Sequence, residues 1–424
     1  MKKKKSFILM LVFLLITSAS LSFGTYKVKA VTQFNVTNSY PVNNGSKAPI
    51  IGFIAFQFNS AVNIDSTKDI LGDCTIKNYI VKQETTDNVL MLYYNNLNYN
   101  TNYTVKLNAA ALKDSNGVQL SGDYNLTFTT GAEYERLSGP SRYETSVEIA
   151  KFGGNHADYV VLATGEDFPD ALCAVPLATK YGAPILLTNK NELPSAVQSE
   201  ITSLNPKEIF IVGGIGVISD NVKNVLQSQG IKVTRISGND RYETSLAIAQ
   251  NVNGPTNSEA FIVTGNDYPD ALSIASYAGN KHIPILLTDK NQLPTSVKNY
   301  ISSEGITKTY VIGGPGVVSD NVLSTLPNAD RVAGNNRYET NMEVLSNFPF
   351  FYGETYFATG QSFADALSGA ALAGTLNNPI ILVDSSMPDD VASAIRNNKD
   401  IMKMKRILGG TGAVPDSIIN RILK

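Results

Sequence analysis

Two pairs of carboxylates stand three residues apart in nearly the same surroundings, Asp167 with Asp170 and Asp267 with Asp270. Paired carboxylates are the equipment of glycoside hydrolysis, one as acid and the other as base or nucleophile. A third copy of the stretch reads Ser362 and Asp365, so the pair is lost there, and a catalytic pair duplicated within one chain is unusual. Arg142, Arg241 and Arg337 recur upstream, each followed by a tyrosine, Tyr143, Tyr242 and Tyr338. Their guanidinium forks suit phosphate or carboxylate groups of an outside ligand. They suit better a structural pairing with Asp170, Asp270 and Asp365, within a repeat or across a repeat interface, since a net acidic chain leaves few arginines over for an outside anion. Gly213-Gly214-Ile215-Gly216 and its counterparts have the look of an anion cradle, but lack the P-loop lysine and the dinucleotide fingerprint, and read as turn glycines. His156 and His282 are the only histidines and fall at unmatched places. They assemble no Ser-His-Asp, Cys-His or zinc-ligand spacing. The residues therefore favour binding over catalysis, with no metal and no cofactor implied.

Charge narrows the ligand. Lys2 to Lys5 precede an apolar run from Phe7 to Phe23, and Val28-Lys29-Ala30 follows in a small-x-small pattern. That order reads as a secretory signal over residues 1–30, with Ala30 the last residue removed; the alternative is an uncleaved membrane anchor, since about 17 apolar residues is near the lower limit for a span. The remaining chain holds 29 Lys and Arg against 37 Asp and Glu, a net charge of −8. It has no general electrostatic footprint for nucleic acid, and no other segment is apolar enough for a membrane. An anionic partner must be met by local positive clusters. Cys74 and Cys173, the only cysteines, fall in different proposed domains and read as small buried hydrophobes.

Two textures of sequence must position these residues. Over 31–132, Ile54-Ala55-Phe56-Gln57-Phe58 and Tyr103-Thr104-Val105-Lys106-Leu107 alternate at period two. Turn clusters such as Asp114-Ser115-Asn116-Gly117 separate the runs, which predicts an antiparallel β-sandwich. Beyond it, R-[LIV]-[SA]-G begins at Arg136, Arg235 and Arg331, recurring after 99 and 96 residues. Within the first copy, 159–163, 184–188, 209–212 and 231–236 read as buried strands. Helices are expected over 171–181, from Pro194 to Leu204 and after a Ser219 cap. Alternating strands and helices make a parallel sheet, and the loops at 167–170, 213–216 and 237–241 all leave strand C-terminal ends. They converge on the edge where open α/β sheets take ligands.

The combination R-[LIV]-[SA]-G-x-x-R-Y-E-T, T-G-x-D-[FY]-P-D-A-L, P-I-L-L-T and G-G-x-G-x-[IV]-S resembles the cell-wall-binding repeat of type 2 from Gram-positive surface proteins. It covers about residues 135–424. The segment before it resembles a bacterial Ig-like domain, through Pro41-Val42-Asn43-Asn44-Gly45, Phe58 to Val62, L-x-x-x-T-x-Y over 97–103, and Phe128-Thr129-Thr130. The resemblance implies an all-β Ig-like sandwich over 31–132 followed by three α/β, Rossmann-like repeats over 133–233, 234–329 and 330–424. These would form one unit about a pseudo-threefold axis. It further implies non-covalent attachment to a cell wall through an anionic wall polymer, a teichoic-acid-like or secondary wall polysaccharide. Pro184, Ile185, Leu186 and Leu187, with Pro284, Ile285, Leu286 and Leu287, would take part in holding it. On their own these apolar runs read as core. In the third copy Ser362, Ala364, Val383 and Pro415 depart from the pattern.

The expected protein is thus a non-enzymatic surface anchor displaying an Ig-like module, which has an unknown partner of its own. Repeated weak contacts on a repeating polymer would add through effective concentration. The alternatives are an adhesive or structural surface protein acting through the Ig-like domain, and a wall polysaccharide hydrolase.

Overall fold

The computed structural model describes residues 33–48, 50, 52–77, 79–83, 88–94, 97–252 and 258–424. The signal read over 1–30 lies outside the described residues. The chain divides into a β unit ending at Thr129 and an α/β unit running from Thr130 to Lys424.

In the β unit, Ile54, Phe56 and Phe58 are buried while Gln57 is exposed, as a half-buried strand requires. Strands Val36–Tyr40, Gly52–Phe58, Val89–Tyr94 and Tyr79–Gln83 form one four-stranded sheet in the order 36–40, 52–58, 89–94, 79–83. Gly45–Ala48, Tyr124–Thr130, Asn102–Leu107 and Leu71–Cys74 form a second, in that order. Phe34 stacks on Phe58 and Tyr103 on Phe128 within the core, at ring-centre distances of 5.1 and 5.8 Å. The expected turn at 114–117 forms because the Asp114 carboxylate accepts from the amides of Asn116 and Val118, at 2.9 and 2.8 Å. Cys74 and Cys173 are both free thiols, Cys173 fully buried and Cys74 half-buried.

The α/β unit contains three four-stranded sheets, and every pairing in them is parallel. The first has the order 185–188, 159–164, 208–212, 232–236, and the second 285–288, 259–264, 308–312, 329–332. In each, the last strand carries the R-[LIV]-[SA]-G arginine that begins the next copy. In the third sheet that place is taken by Tyr134–Leu137, from before the first copy, pairing with Met404–Leu408. Sequence reading placed no strand over 134–137. A fourth strand repeated three times, with only two preceding copies to accept it, was the available signal. The sheets consequently extend past the repeat boundaries drawn at 233/234 and 329/330.

Helix Ala364–Thr375 packs against Pro269–Lys281, and both pack against Ala174–Lys180. At one end of these helices the equivalent rings of Phe168, Tyr268 and Phe363 meet pairwise, with centres 5.5, 6.2 and 6.2 Å apart. Toward the other end Thr179 donates its hydroxyl to the Gly279 carbonyl at 2.7 Å. The missing side chains there matter, since a Cβ on Gly279 or Gly374 would lie 2.9 or 2.8 Å from the Thr179 methyl. One hydrophobic cluster runs through all three copies, from Leu137 to Leu423. Fully burying each Leu or Ile in it is worth about 1.5–3 kcal/mol. The helix expected over 171–181 is broken in the first copy into Pro169–Leu172 and Ala174–Lys180. Pro176 has no N–H to donate to the Leu172 carbonyl. Ser276 and Ala371 stand at the same place in the other copies, and there the helix is continuous.

Candidate functional site

The loops that leave the strand ends are built by the recurring motifs. In R-Y-E-T the threonine hydroxyl of Thr145, Thr244 or Thr340 accepts from the amide of Gly139, Gly238 or Gly334, each at 3.1 Å. A Cβ on any of those glycines would collide with the Cβ of the motif glutamate. The helix starts are capped: Ser141 with Glu144 as a reciprocal box, Asp240 to the Glu243 amide, and Asn336 to the amides of Tyr338 and Glu339. The residue after the motif reaches the strand: Ser146, Ser245 and Asn341 accept from the amides of Leu187, Leu287 and Leu382 at 3.2, 3.2 and 3.0 Å.

Ile185, Leu186 and Leu187, and Ile285, Leu286 and Leu287, are at most 1% exposed. Pro284 is buried and Pro184 half-buried. These strands stand at the edge of their sheets but have both faces covered, so their apolar side chains present no surface to a polymer. Their contribution is to fix where the loops emerge.

Both sets of motif arginines are committed to carbonyl groups. Arg136, Arg235 and Arg331 donate to Gly409, Gly213 and Gly313 at 2.8, 2.8 and 2.7 Å, and pair with Asp416, Asp220 and Asp320. Arg142, Arg241 and Arg337 donate to Gly165, Gly265 and Gly360 of their own copies. The expected direct pairing with Asp170, Asp270 and Asp365 is not formed. The carbonyls occupy the forks, and the arginines lean across the repeat interfaces instead. Arg142 lies over the Phe363 ring at 5.9 Å and Arg337 over the Tyr268 ring at 5.6 Å. Arg337 also meets Asp267 at 3.5 Å. Tyr143, Tyr242 and Tyr338 pack onto Gly165, Gly265 and Gly360, where a Cβ would come within 2.7, 3.1 and 2.7 Å of each ring.

Between the first and second copies these loops enclose a cleft of about 250 Å³. Its lining includes Thr164, Asp167 and Asp170 from one copy and Asp240, Arg241 and Thr244 from the next, with Gly214 and Gly216. It lies on the edge named from sequence, and Asp240 belongs to the 237–241 loop expected there, although it was not singled out as a site residue. Its position just before a repeated arginine, at the end of a strand, was the available signal. Asp170 stands against Gly213, a residue at φ +106° whose Cβ would lie 2.9 Å from the carboxylate. Asp270 and Asp365 stand in the same way against Gly313 and Gly409. Burial raises all three carboxyls above the usual carboxylate range. Asp270 goes to about 7, with the like charge of Asp267 adding and Arg337 opposing. Asp365 goes to about 6, opposed by Arg142.

The model of the family described as "Cell wall binding domain 2" matches residues 136–223, 235–323 and 331–419. The chain belongs to this family. Its N-terminal part matches the bacterial Ig-like domain model over residues 30–130. The family member is 33% identical over 288 residues to the N-acetylmuramoyl-L-alanine amidase LytC of Bacillus subtilis (strain 168), covering 68% of this chain and 58% of LytC. It is 32% identical over 326 residues to the amidase enhancer of the same organism, covering 76% of this chain and 45% of that protein. The chain thus spans about half the length of these relatives. Among solved structures it is similar to Cwp8 from Clostridium difficile, with a TM-score of 0.64 and 26% identity, covering 76% of this chain and 58% of that one. The repeats are therefore cell-wall-binding repeats, and no helix among the described residues is long and apolar enough to cross a membrane.

Proposed function

We propose that this protein is a non-enzymatic anchor, exported by the segment over 1–30, that holds a Gram-positive cell wall non-covalently while displaying its Ig-like module. The three repeats act as one body about a pseudo-threefold axis. The meeting of Phe168, Tyr268 and Phe363 at one point and of Thr179, Gly279 and Gly374 at another supports that axis. The observation that carries the reading is the cleft on the strand-end edge, built from two successive copies and lined by motif residues. A site assembled between copies recurs with the copies, which suits a polymer with a repeating unit. The ligand is a wall polymer carrying negative charge, and that charge is met by exposed Lys190 and Lys290, which follow the C-terminal ends of the strands 185–188 and 285–288. Arg142, Arg241 and Arg337 shape the clefts and leave the polymer to the loop residues.

The test is retention on purified walls. Residues 31–424 should sediment with native walls and stay in solution when the secondary polymer has been stripped from them. Equal sedimentation with stripped walls would refute polymer binding. A fall in wall turbidity during the incubation, abolished by Asp170→Asn, would refute the non-enzymatic reading.

A further inference from the structure

The two four-stranded sheets of the β unit end in four edge strands. An edge is a row of unpaired backbone N–H and C=O groups that another strand can take up, and proteins usually blunt it. Three of the four are blunted. Val36–Tyr40 shifts register between Val36 and Asn38, and the Asn38 side chain accepts the Ser39 amide at 2.8 Å. Gly45–Ala48 has four residues including Lys47, and Pro49 follows it in sequence. Leu71–Cys74 shifts register along its length and holds Gly72 and Asp73. Tyr79–Gln83 has no such break. Its five residues pair in unbroken register with Val89–Tyr94, from Tyr79 opposite Tyr94 to Gln83 opposite Leu90. It contains no proline, glycine or acidic residue, and Lys82 is its one charge. Tyr79 and Ile80 are 39% and 64% exposed, so the edge is open at these residues.

An apolar row crosses the same sheet and ends at this edge. Tyr93 stands opposite Ile80 on one side and Phe53 on the other. The Phe53 ring lies 6.2 Å from that of Tyr93 and 5.2 Å from that of Tyr40. The strands 36–40, 52–58 and 89–94 contain no charged residue. We propose that the Ig-like module pairs edge to edge with the same module of a second copy, through antiparallel Tyr79–Gln83 strands. The backbone row calls for a strand, and this strand suits itself. With a two-fold axis at Ile80, that residue meets the partner's Ile80, and Tyr79 meets the partner's Val81. Lys82 then falls opposite position 78, an asparagine, and meets no like charge. The apolar rows of the two copies join into one. An axis at Val81 would instead set Ile80 opposite Lys82 and interrupt the row. So short a seam is weak alone, but two anchors on one wall meet at raised effective concentration. That last step rests on the reading that the repeats hold a wall, whereas the pairing itself does not.

The experiment follows residues 31–424 by sedimentation velocity from about 1 μM to 1 mM, where weak pairs dissociate. The chain should pass from monomer to dimer across that span. Ile80→Lys sets two like charges against each other and should weaken pairing at least about tenfold, with the melting temperature unchanged because the side chain is exposed. Ser46→Lys, on the blunted edge 45–48, should leave pairing as it is. In a Cys74→Ala background, Ile80→Cys should yield a disulfide-linked dimer on mild oxidation and Ser46→Cys should not. Directly opposed residues hold their Cα atoms about 4.5–5.5 Å apart, within the reach of a disulfide. That cross-link decides the matter should Ile80→Lys fail to fold. A chain that stays monomeric throughout, a dimer that survives Ile80→Lys, or the absence of the Ile80→Cys cross-link would each overturn the pairing and leave wall attachment standing. Capture of a foreign strand by a chain that remains monomeric would overturn the second copy as the occupant.

Discussion

The third repeat differs from the first two at the strand-end edge and hardly at all in its framework. Ser362 replaces Asp167 and Asp267, Ala364 replaces Pro169 and Pro269, Ser385 replaces Lys190 and Lys290, and Pro415 replaces Ser219 and Ser319. Yet Arg337 bonds Gly360 as Arg142 bonds Gly165, Thr340 closes its loop as Thr145 does, and Asp365 sits against Gly409 as Asp170 does against Gly213. The framework residues are held by packing and by three-way contacts between copies. The edge residues change more readily, because they make only a few peripheral bonds, such as the Asp267 pair with Arg337 and the Ser219 amide to the Lys190 carbonyl. The third copy is therefore needed to complete the body whether or not its own cleft takes ligand.

The sharpest way to break that comparison is to attack the shared framework in the third copy. Gly374→Leu places a side chain where even a Cβ would lie 2.8 Å from the Thr179 methyl and 3.1 Å from the Ser276 carbonyl oxygen. Overpacking between helices that cannot separate should cost about 3 kcal/mol or more. The damage should reach all three repeats in a single thermal transition. Gly410→Ala, with nothing within 4 Å of the added Cβ, should cost about 0.5 kcal/mol or less. A separate early melt of the third repeat alone would show that the copies do not depend on one another.

Acid titration distinguishes the copies next. Asp270 and Asp365 keep their protons to about 7 and about 6 in the folded chain, against about 3.8 without the fold. A carboxyl raised in this way stabilises the fold below about pH 4, and that contribution fades as the pH climbs toward the folded value. Asp270→Asn should therefore gain stability as the pH is raised from 4 to 8, by up to about 4 kcal/mol relative to wild type, and Asp365→Asn by about 3. Burial is the first cause of both shifts, and at Asp270 the like charge of Asp267 adds to it, where the third copy has Ser362. Asp267→Ser should bring the two profiles closer in thermal melts across that range. Parallel profiles for wild type and Asp270→Asn would mean that Asp270 is solvated.

How far the sequence led can be read from individual residues. Period-two alternation found the sandwich, and continuous apolar runs bounded by glycine found the strands, because burial on one face or both leaves a direct mark on composition. The edge carrying the ligand loops followed from strand direction alone. The partner of the 134–137 strand left no local pattern, since the paired residues are about 270 positions apart, and only the count of fourth strands against copies pointed to it. The break at Cys173 was legible in Pro176 and was passed over. The buried state of Leu186 and Leu286 was read correctly from their apolar character, and only the family resemblance pulled them toward the ligand. The arginine contacts to Gly165, Gly265 and Gly360 were hidden for a general reason: every residue has a carbonyl, so side-chain-to-backbone bonds carry no sequence signature.

Those arginines supply a smaller contrast. Arg142→Ala and Arg241→Ala should each cost about 1.5–3 kcal/mol through the lost charged bond to a carbonyl. Arg337→Ala should cost about 0–1 kcal/mol more, because the Asp267 pair at 3.5 Å is half-exposed and screened. Asp267→Asn should abolish that excess in denaturant melts, and an excess that survives would place the extra stability in the contact with the Tyr268 ring.

The smallest effect concerns the substitution of Pro415 for serine. Ser319 caps its helix, accepting from the Val322 amide at 3.4 Å, whereas the Ser219 hydroxyl is buried without a partner. Ser219→Ala should then be neutral within about 0.5 kcal/mol, and Ser319→Ala should cost about 0.5–1 kcal/mol. Ser219→Pro should likewise be tolerated on its oxygen's account. Its backbone amide donates to the Lys190 carbonyl at 2.8 Å, however, a bond that proline cannot make. Comparing Ser219→Ala with Ser219→Pro by chemical denaturation isolates that one amide. In the third copy Pro415 lacks the amide and Ser385 stands where Lys190 does, so the tie between these two loops is absent there. If Ser219→Pro proves as stable as Ser219→Ala, the tie contributes nothing to the first copy either, and the third repeat has given up no stability at its ligand edge.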